Sequence, residues 1–211
     1  ADVADYIEYI NFSMYAVFEN ALNDKDTLQA KLQRNNIRDY LDNLKNENYK
    51  HSYDDGWVTI NPDSVLVGRA LTATFMPGRP DIHRVIDKKG HEKDGRIKSQ
   101  NSWPIDMLVK GDVYVVDQFG AHEDGPTIGD NLGNSIFAKT GNGIVYDGAV
   151  RDINGLKELG SFTSFFRSYH PSHHLNNPDG DLNTTLVSIN KPTRIGKATV
   201  MPGDIVLGRD G

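Results

Sequence analysis

Residues 129–152 read GDNLGNSIFAKTGNGIVYDGAVRD. In residues 130–140, Leu132, Ile136 and Phe137 fall at helical spacing, and Gly141 stands where a helix commonly ends on glycine. Residues 143–146 then read as a strand, Asp147-Gly148 as a turn, and residues 153–159 as a short helix. Upstream, residues 112–117 (Asp-Val-Tyr-Val-Val-Asp) form an apolar strand pattern between carboxylates. Residues 57–60 and 65–75 are rich in β-branched residues and also read as strands. Downstream, residues 162–167, 182–189 and 199–207 complete the strand set. Strand, helix, strand, helix, strand through the middle of the chain predicts an α/β core.

The flanks differ from this core. In residues 1–50, Val3, Tyr6, Ile7, Ile10, Met14, Val17, Phe18 and Leu22 recur at steps of three and four, as do Leu28, Leu32, Ile37, Leu41 and Leu44. These patterns predict an N-terminal helical segment, residues 1–50, ahead of one globular unit, residues 51–211. Residues 78–103 carry seven Lys or Arg against four Asp or Glu. They read as a solvated surface insertion, with a mobile lid or a partner contact as alternatives.

The chain has 211 residues, enough for one sizeable core, and no cysteine, so disulfides, thiolate metal sites and a cysteine nucleophile are excluded. Its net charge of −6 argues against a broad basic surface for nucleic acid or acidic membranes. No apolar run reaches the roughly 20 residues that span a bilayer. Without a recognisable signal peptide the expected location is the cytoplasm, although an exported mature chain could also begin at Ala1.

Two spots in the opening stretch carry chemistry. Gly129-Asp130-Asn131-Leu132 begins a helix, where amides without intrahelical partners and the positive end of the dipole favour a bound carboxylate. The alternative is an ordinary helix start. Arg151-Asp152 follows a strand, the place where α/β proteins set reactive groups. The Asp152 carboxylate suits a hard cation such as Mg²⁺ or Mn²⁺, and the Arg151 guanidinium suits a carboxylate or an enolate oxygen. The alternative is a local ion pair or a helix cap.

Twenty residues separate Asp130 from Arg151. Gly-Asp-Asn-Leu at that distance from Tyr-Asp-Gly-Ala-Val-Arg-Asp resembles the family that holds the regulator of ribonuclease activity A (RraA) and the class II 4-hydroxy-4-methyl-2-oxoglutarate aldolases. Residues 67–72, 111–117 and 202–206, with Asp210-Gly211, are similar to its other strands in order, so the resemblance covers residues 57–211. It implies a β-sandwich or barrel-like core flanked by helices, akin to swivelling phosphohistidine domains. It also implies homotrimers or hexamers with the site in a cleft between subunits. By that resemblance, the amides of Gly129, Asp130, Asn131 and Leu132 hold the carboxylate of a small 2-oxo acid, and Arg151 contacts the same carboxylate or the enolate oxygen. Asp152 binds Mg²⁺ or Mn²⁺, and Asp130 orients a water on it. The chain departs from the aldolase-type members after Arg-Asp, where its first acid is Glu158.

The resulting expectation is a metal-dependent lyase, an aldolase or an oxaloacetate decarboxylase, acting through a pyruvate enolate. The rival is a non-enzymatic regulator that binds and inhibits a ribonuclease. A methyltransferase, also attached to such sequences by name, lacks support because no glycine-rich nucleotide loop follows a first strand. His170, His173 and His174 read as a surface loop, a pocket contact or, least, metal ligands; His122 reads as a loop residue or a proton donor.

Overall fold

The computed structural model describes residues 56–119, 127–171, 184–196 and 198–209, all within Ser52–Gly211. The helical patterns expected in residues 1–50 lie outside the described residues, as do His122, His173 and His174. The elements are β1 (Val58–Ile60), β2 (Leu66–Pro77), α1 (Pro80–Glu92), α2 (Trp103–Asp106), β3 (Asp112–Asp117), α3 (Asp130–Thr140), β4 (Ile144–Val150), α4 (Ile153–Lys157), β5 (Ser164–Tyr169), β6 (Thr184–Ile189), β7 (Thr193–Ile195), β8 (Ala198–Val200) and β9 (Ile205–Gly208). No helix among the described residues is long and apolar enough to cross a membrane.

The expected α/β class is what the chain adopts: a mixed fold with a central sheet and few helices. Strands β2, β3, β4 and β5 run parallel as neighbours, and β1 closes the β5 edge antiparallel. On the other edge β2 is long enough to serve two antiparallel partners. Its first half pairs β9 and its second half pairs β6. The sandwich-like expectation resolves into one seven-stranded sheet and a separate β7–β8 hairpin.

Alternation along the strands explains why both faces are covered. Leu71, Ala73, Phe75, Tyr114, Val116, Ile144, Tyr146 and Phe166 belong to the larger core, with Ile105 of α2, Ile136 of α3 and Leu156 of α4. Leu66, Ala70, Val113 and Val115 face the other way, against Val145, Phe165, Ile195, Val200 and Val206. Nearly continuous apolar runs are what a parallel strand buried on two faces requires. Ile136 is fully buried, which contributes roughly 2 kcal/mol to holding α3 on the sheet.

Helix α3 spans the predicted residues and ends as predicted. Gly141 lies at φ 68°, a conformation that costs a residue with Cβ, and its N–H donates to the carbonyl of Phe137.

Three expectations are corrected. Residues 78–103 are not a solvated loop, because Pro80–Glu92 forms α1. Pro80 sits in the first turn, where its missing N–H costs nothing, and His83 and Gly90 lie inward. Trp103, 3% exposed, packs its ring against Gly90. Asp147-Gly148 is not a turn, since β4 continues through it to Val150 with a register shift against β5 between Tyr146 and Ala149. Residues 199–207 are not one strand: β8 and β9 are separated at Pro202-Gly203.

Candidate active site at the carboxyl ends of β4 and β5

Both halves of the 129–152 stretch converge. The end of β4 is tied down on two sides: the Arg151 N–H donates to the carbonyl of Ile128 at 3.0 Å, and the His170 N–H donates to that of Val150 at 2.9 Å. Ile128 also forms a parallel bridge with Val150, which places the start of α3 directly beside Arg151-Asp152. A Cβ built on Gly129 would come within 2.2 Å of Asp152 Oδ2 and 2.9 Å of Arg151 Nε. Only glycine lets the two segments approach this closely. The first helical bond of α3 runs from the Gly133 N–H to the Gly129 carbonyl, as expected where the earlier amides point out of the helix. The Asn131 N–H donates to Asp130 Oδ1 at 2.7 Å, so one of the amides expected to hold substrate is occupied by the neighbouring carboxylate. The Asp130 side chain lies against Gly155 of α4.

Arg151 Nε donates to Asp152 Oδ2 at 3.1 Å. The side chains are 25% and 43% exposed, so solvent screens the pair and its contribution to stability is at most about 1 kcal/mol. Asp152 nevertheless holds a left-handed backbone, φ 55° and ψ 42°, ahead of α4. That conformation is tolerated by aspartate but still costs about 1 kcal/mol. An exposed ion pair does not explain a strained residue.

An open cleft of about 450 Å³ is lined by Arg151, Asp152, Ile153, Asn154, Gly155, Tyr169, His170 and Pro171. It sits where the carboxyl ends of parallel strands leave the sheet, the usual ligand position in α/β folds. Of the residues expected from sequence, Arg151 and Asp152 line the cleft. Gly129 packs behind them, and Asp130 reaches Gly155 from α3. Asn131 is exposed and Leu132 half-buried against the core, and neither lines the cleft. Glu158 follows α4 and is not among the lining residues. His170, one of the three expected histidines, does line it. Tyr169, Ile153, Asn154 and Pro171 were not anticipated. Tyr169 becomes visible only once β5 is known to pair β4 in parallel, which ends it beside Arg151.

The donors fit one kind of metal. Among the described residues no three His, Cys, Asp or Glu side chains cluster, so no all-protein cage for zinc is formed. One exposed carboxylate at the rim of a cleft matches the habit of Mg²⁺, which keeps several waters and takes one or two protein carboxylates.

Behind the cleft, Asp147 anchors β4. Its Oδ1 accepts from Arg167 Nε at 2.7 Å and its Oδ2 from the Gly196 N–H at 2.8 Å, with Arg194 Nη1 at 3.9 Å. Arg194 also reaches Asp117 of β3 at 3.2 Å. Burial pushes the Asp117 carboxyl above its ordinary value, opposed by the Phe119 N–H and by Arg194. Arg167 in turn stacks 4.0 Å over the Trp57 ring.

Comparison with known proteins agrees with this architecture. The chain is similar to Streptomyces coelicolor RraAS2, an unusual member of the RNase ES inhibitor RraA protein family. Identity is 24% and the TM-score 0.63, over 85% of this chain and 79% of that one. It is similar to a protein named among novel cellulases from gut-associated microbes, at 18% identity and TM-score 0.64, over 88% and 74% of the two chains. It is also similar to the RNA-processing inhibitor RraA from Thermus thermophilis, at 17% identity and TM-score 0.55, over 80% and 86%. At these identities the likeness concerns the fold. The RraA-like family model, Aldolase/RraA, matches residues 36–211, beginning upstream of the first strand that carries the motifs. That family includes both metal-dependent aldolases or decarboxylases and ribonuclease inhibitors. With most of its length matched and its two motif halves brought together at one cleft, the chain belongs to the RraA-like, Aldolase/RraA, family.

Proposed function

We propose that this protein is a divalent-metal-dependent lyase that cleaves a C–C bond of a small 2-oxo acid by retro-aldol cleavage or decarboxylation. The observation that carries this reading is the strained Asp152 beside Arg151, packed on Gly129 at the mouth of a cleft. Arg151, always charged, anchors the substrate carboxylate and opposes charge developing on the adjacent oxygen. Of the amides at the start of α3, those of Gly129 and Asp130, next to Arg151-Asp152, add donors toward the same end of the substrate, while that of Asn131 is taken by Asp130. Asp152 would hold Mg²⁺ or Mn²⁺, and Asp130 would orient water at that site. Bound there, the metal supplies Lewis-acid withdrawal of charge from the 2-oxo oxygen.

The test is pyruvate release across a panel of 4-hydroxy-2-oxo acids and oxaloacetate, with added Mg²⁺. Release from at least one member is expected, and none from any would reject the reading. The rival, a ribonuclease-binding regulator, draws support from one neighbour named in an RNase ES inhibitor family and another named an RNA-processing inhibitor. It predicts inhibition that survives loss of Arg151 and Asp152.

Two predictions follow from the metal and the assembly. Asp152→Asn removes the charge that holds the cation, so Mn²⁺ binding followed by electron paramagnetic resonance should weaken at least tenfold while the thermal melt moves little. Unchanged Mn²⁺ binding would remove Asp152 as the ligand. RraA-family proteins are oligomeric. A homotrimer or hexamer is expected in light scattering, and a fully active monomer at micromolar concentration would contradict a cleft completed between subunits.

A further inference from the structure

The segments that begin α3 and α4 are interlocked through glycines, each taking a side chain of the other. Gly129 and Gly133 stand one helical turn apart at the start of α3. The places where their Cβ atoms would be are filled by Asp152 and Leu156, which are also one turn apart. In the opposite direction, Gly155 of α4 takes Asp130 of α3. A Cβ built on Gly155 would lie 2.7 Å from Asp130 Cβ and 3.1 Å from its Oδ2. Gly155 lies within α4 and is not one of the left-handed glycines, so its backbone conformation does not call for glycine. Alanine is the better helix former at such a position. What glycine admits there is Asp130. The Asp130 Cβ is bonded to the backbone, so no rotation of its side chain relieves the overlap, and the first turn of α3 or of α4 has to shift. On its other side the same carboxylate accepts the Asn131 N–H through Oδ1 at 2.7 Å, so Asp130 is fixed between its own helix start and α4.

We propose that Gly155 is a positioning residue for Asp130, holding that carboxylate where it can orient water at a cation on Asp152. The inference rests on the metal-site reading of Asp130 and Asp152 but not on the lyase chemistry, so its test needs no turnover. In the full chain, Gly155→Ala is expected to bind Mn²⁺ about tenfold more weakly in electron paramagnetic resonance, the usual cost of disturbing a group that orients a metal's ligands. The thermal midpoint should stay within about 4 °C, because the gain in helix propensity offsets part of the overlap. Without metal, the Asn131 amide proton in ¹H–¹⁵N spectra should move toward its position in Asp130→Gly, as the bond to the carboxylate loosens. Adding Gly155→Ala to Asp130→Gly should cost no further Mn²⁺ affinity, because the Cβ that it would meet is gone. The proposal is overturned if Gly155→Ala leaves the Asn131 amide in place or Mn²⁺ binding unchanged. It is equally overturned if the loss of Mn²⁺ affinity is as large in the Asp130→Gly background, since Gly155 would then act on Asp152. Should Gly155→Ala fail to fold, the double variant is expected to fold, and its failure would also overturn the proposal. Wild-type protein that binds no Mn²⁺ would reject the metal reading, while a displaced Asn131 amide in Gly155→Ala would still support the placement of Asp130 by Gly155.

Discussion

Arg151→Lys is expected to fold and assemble normally and to lose about a hundredfold in kcat, on whichever panel member the wild-type chain cleaves. Lysine keeps the charge but not the planar fork of donors, so it can attract the carboxylate without fixing its orientation. The loss should fall on the transition state, where negative charge has moved onto the neighbouring oxygen. Removing one preorganised donor from such an oxygen costs on the order of 3 kcal/mol. Arg151→Ala should lower kcat further and also raise KM, because the anchor for the ground-state carboxylate is gone. Neither change should cost much stability: among the described residues, the ion pair of Arg151 is the screened contact with Asp152. Steady-state kinetics beside thermal melts separate the two roles. Near-wild-type kcat in Arg151→Lys would leave the pair as a turn ornament.

Asp147→Ala is expected to act in the opposite way, through the fold. The Asp147 carboxylate is 5% exposed and takes bonds from Arg167 of β5 and from the Gly196 N–H beyond β7, with Arg194 nearby. Deleting one partner of a buried ion pair leaves the other charge desolvated, at a cost of about 3–5 kcal/mol. In a domain of this size the midpoint should fall by roughly 10 °C. Asp147→Asn should lose less, because an amide oxygen still accepts from Arg167. A melt of Asp147→Ala within two degrees of wild type would show that the network adds nothing to stability.

How far the sequence could be read depended on what kind of side chain did the packing. Helix α3 was legible to the residue because Leu132, Ile136 and Phe137 are its core contacts and Gly141 its stop. Helix α1 was not, because its inward face is made by His83, Ile86 and Gly90, which carry little aliphatic periodicity, while its lysines and arginines resemble a loop. Its opening Pro77-Gly78-Arg79-Pro80 reads as a breaker, yet proline in a first turn starts a helix as readily as it ends one. The Asp147-Gly148 pair misled for a related reason. A buried aspartate in a strand looks like a turn until Arg167, Arg194 and Gly196 are known to satisfy it, and those partners lie 20 residues or more downstream.

The candidate site was legible in its polar half. Arg151 and Asp152 were found by motif, but their contact with Gly129 follows from the Ile128–Val150 bridge, which no local pattern encodes. The apolar wall at Tyr169 and Pro171 was missed because an aromatic residue after a strand carries no mark of a cleft until the strand order is known.

The proposed lyase chemistry requires a pyruvate enolate beside Arg151 and Asp152. It can be tested without knowing the partner aldehyde. Pyruvate in D₂O, incubated with the protein and Mg²⁺, should exchange its methyl protons for deuterium. The ¹H NMR methyl signal should decay faster than with Mg²⁺ alone, stop decaying on EDTA, and decay about a hundredfold more slowly with Arg151→Lys. A methyl signal that decays no faster than the Mg²⁺ blank would mean that the protein forms no pyruvate enolate.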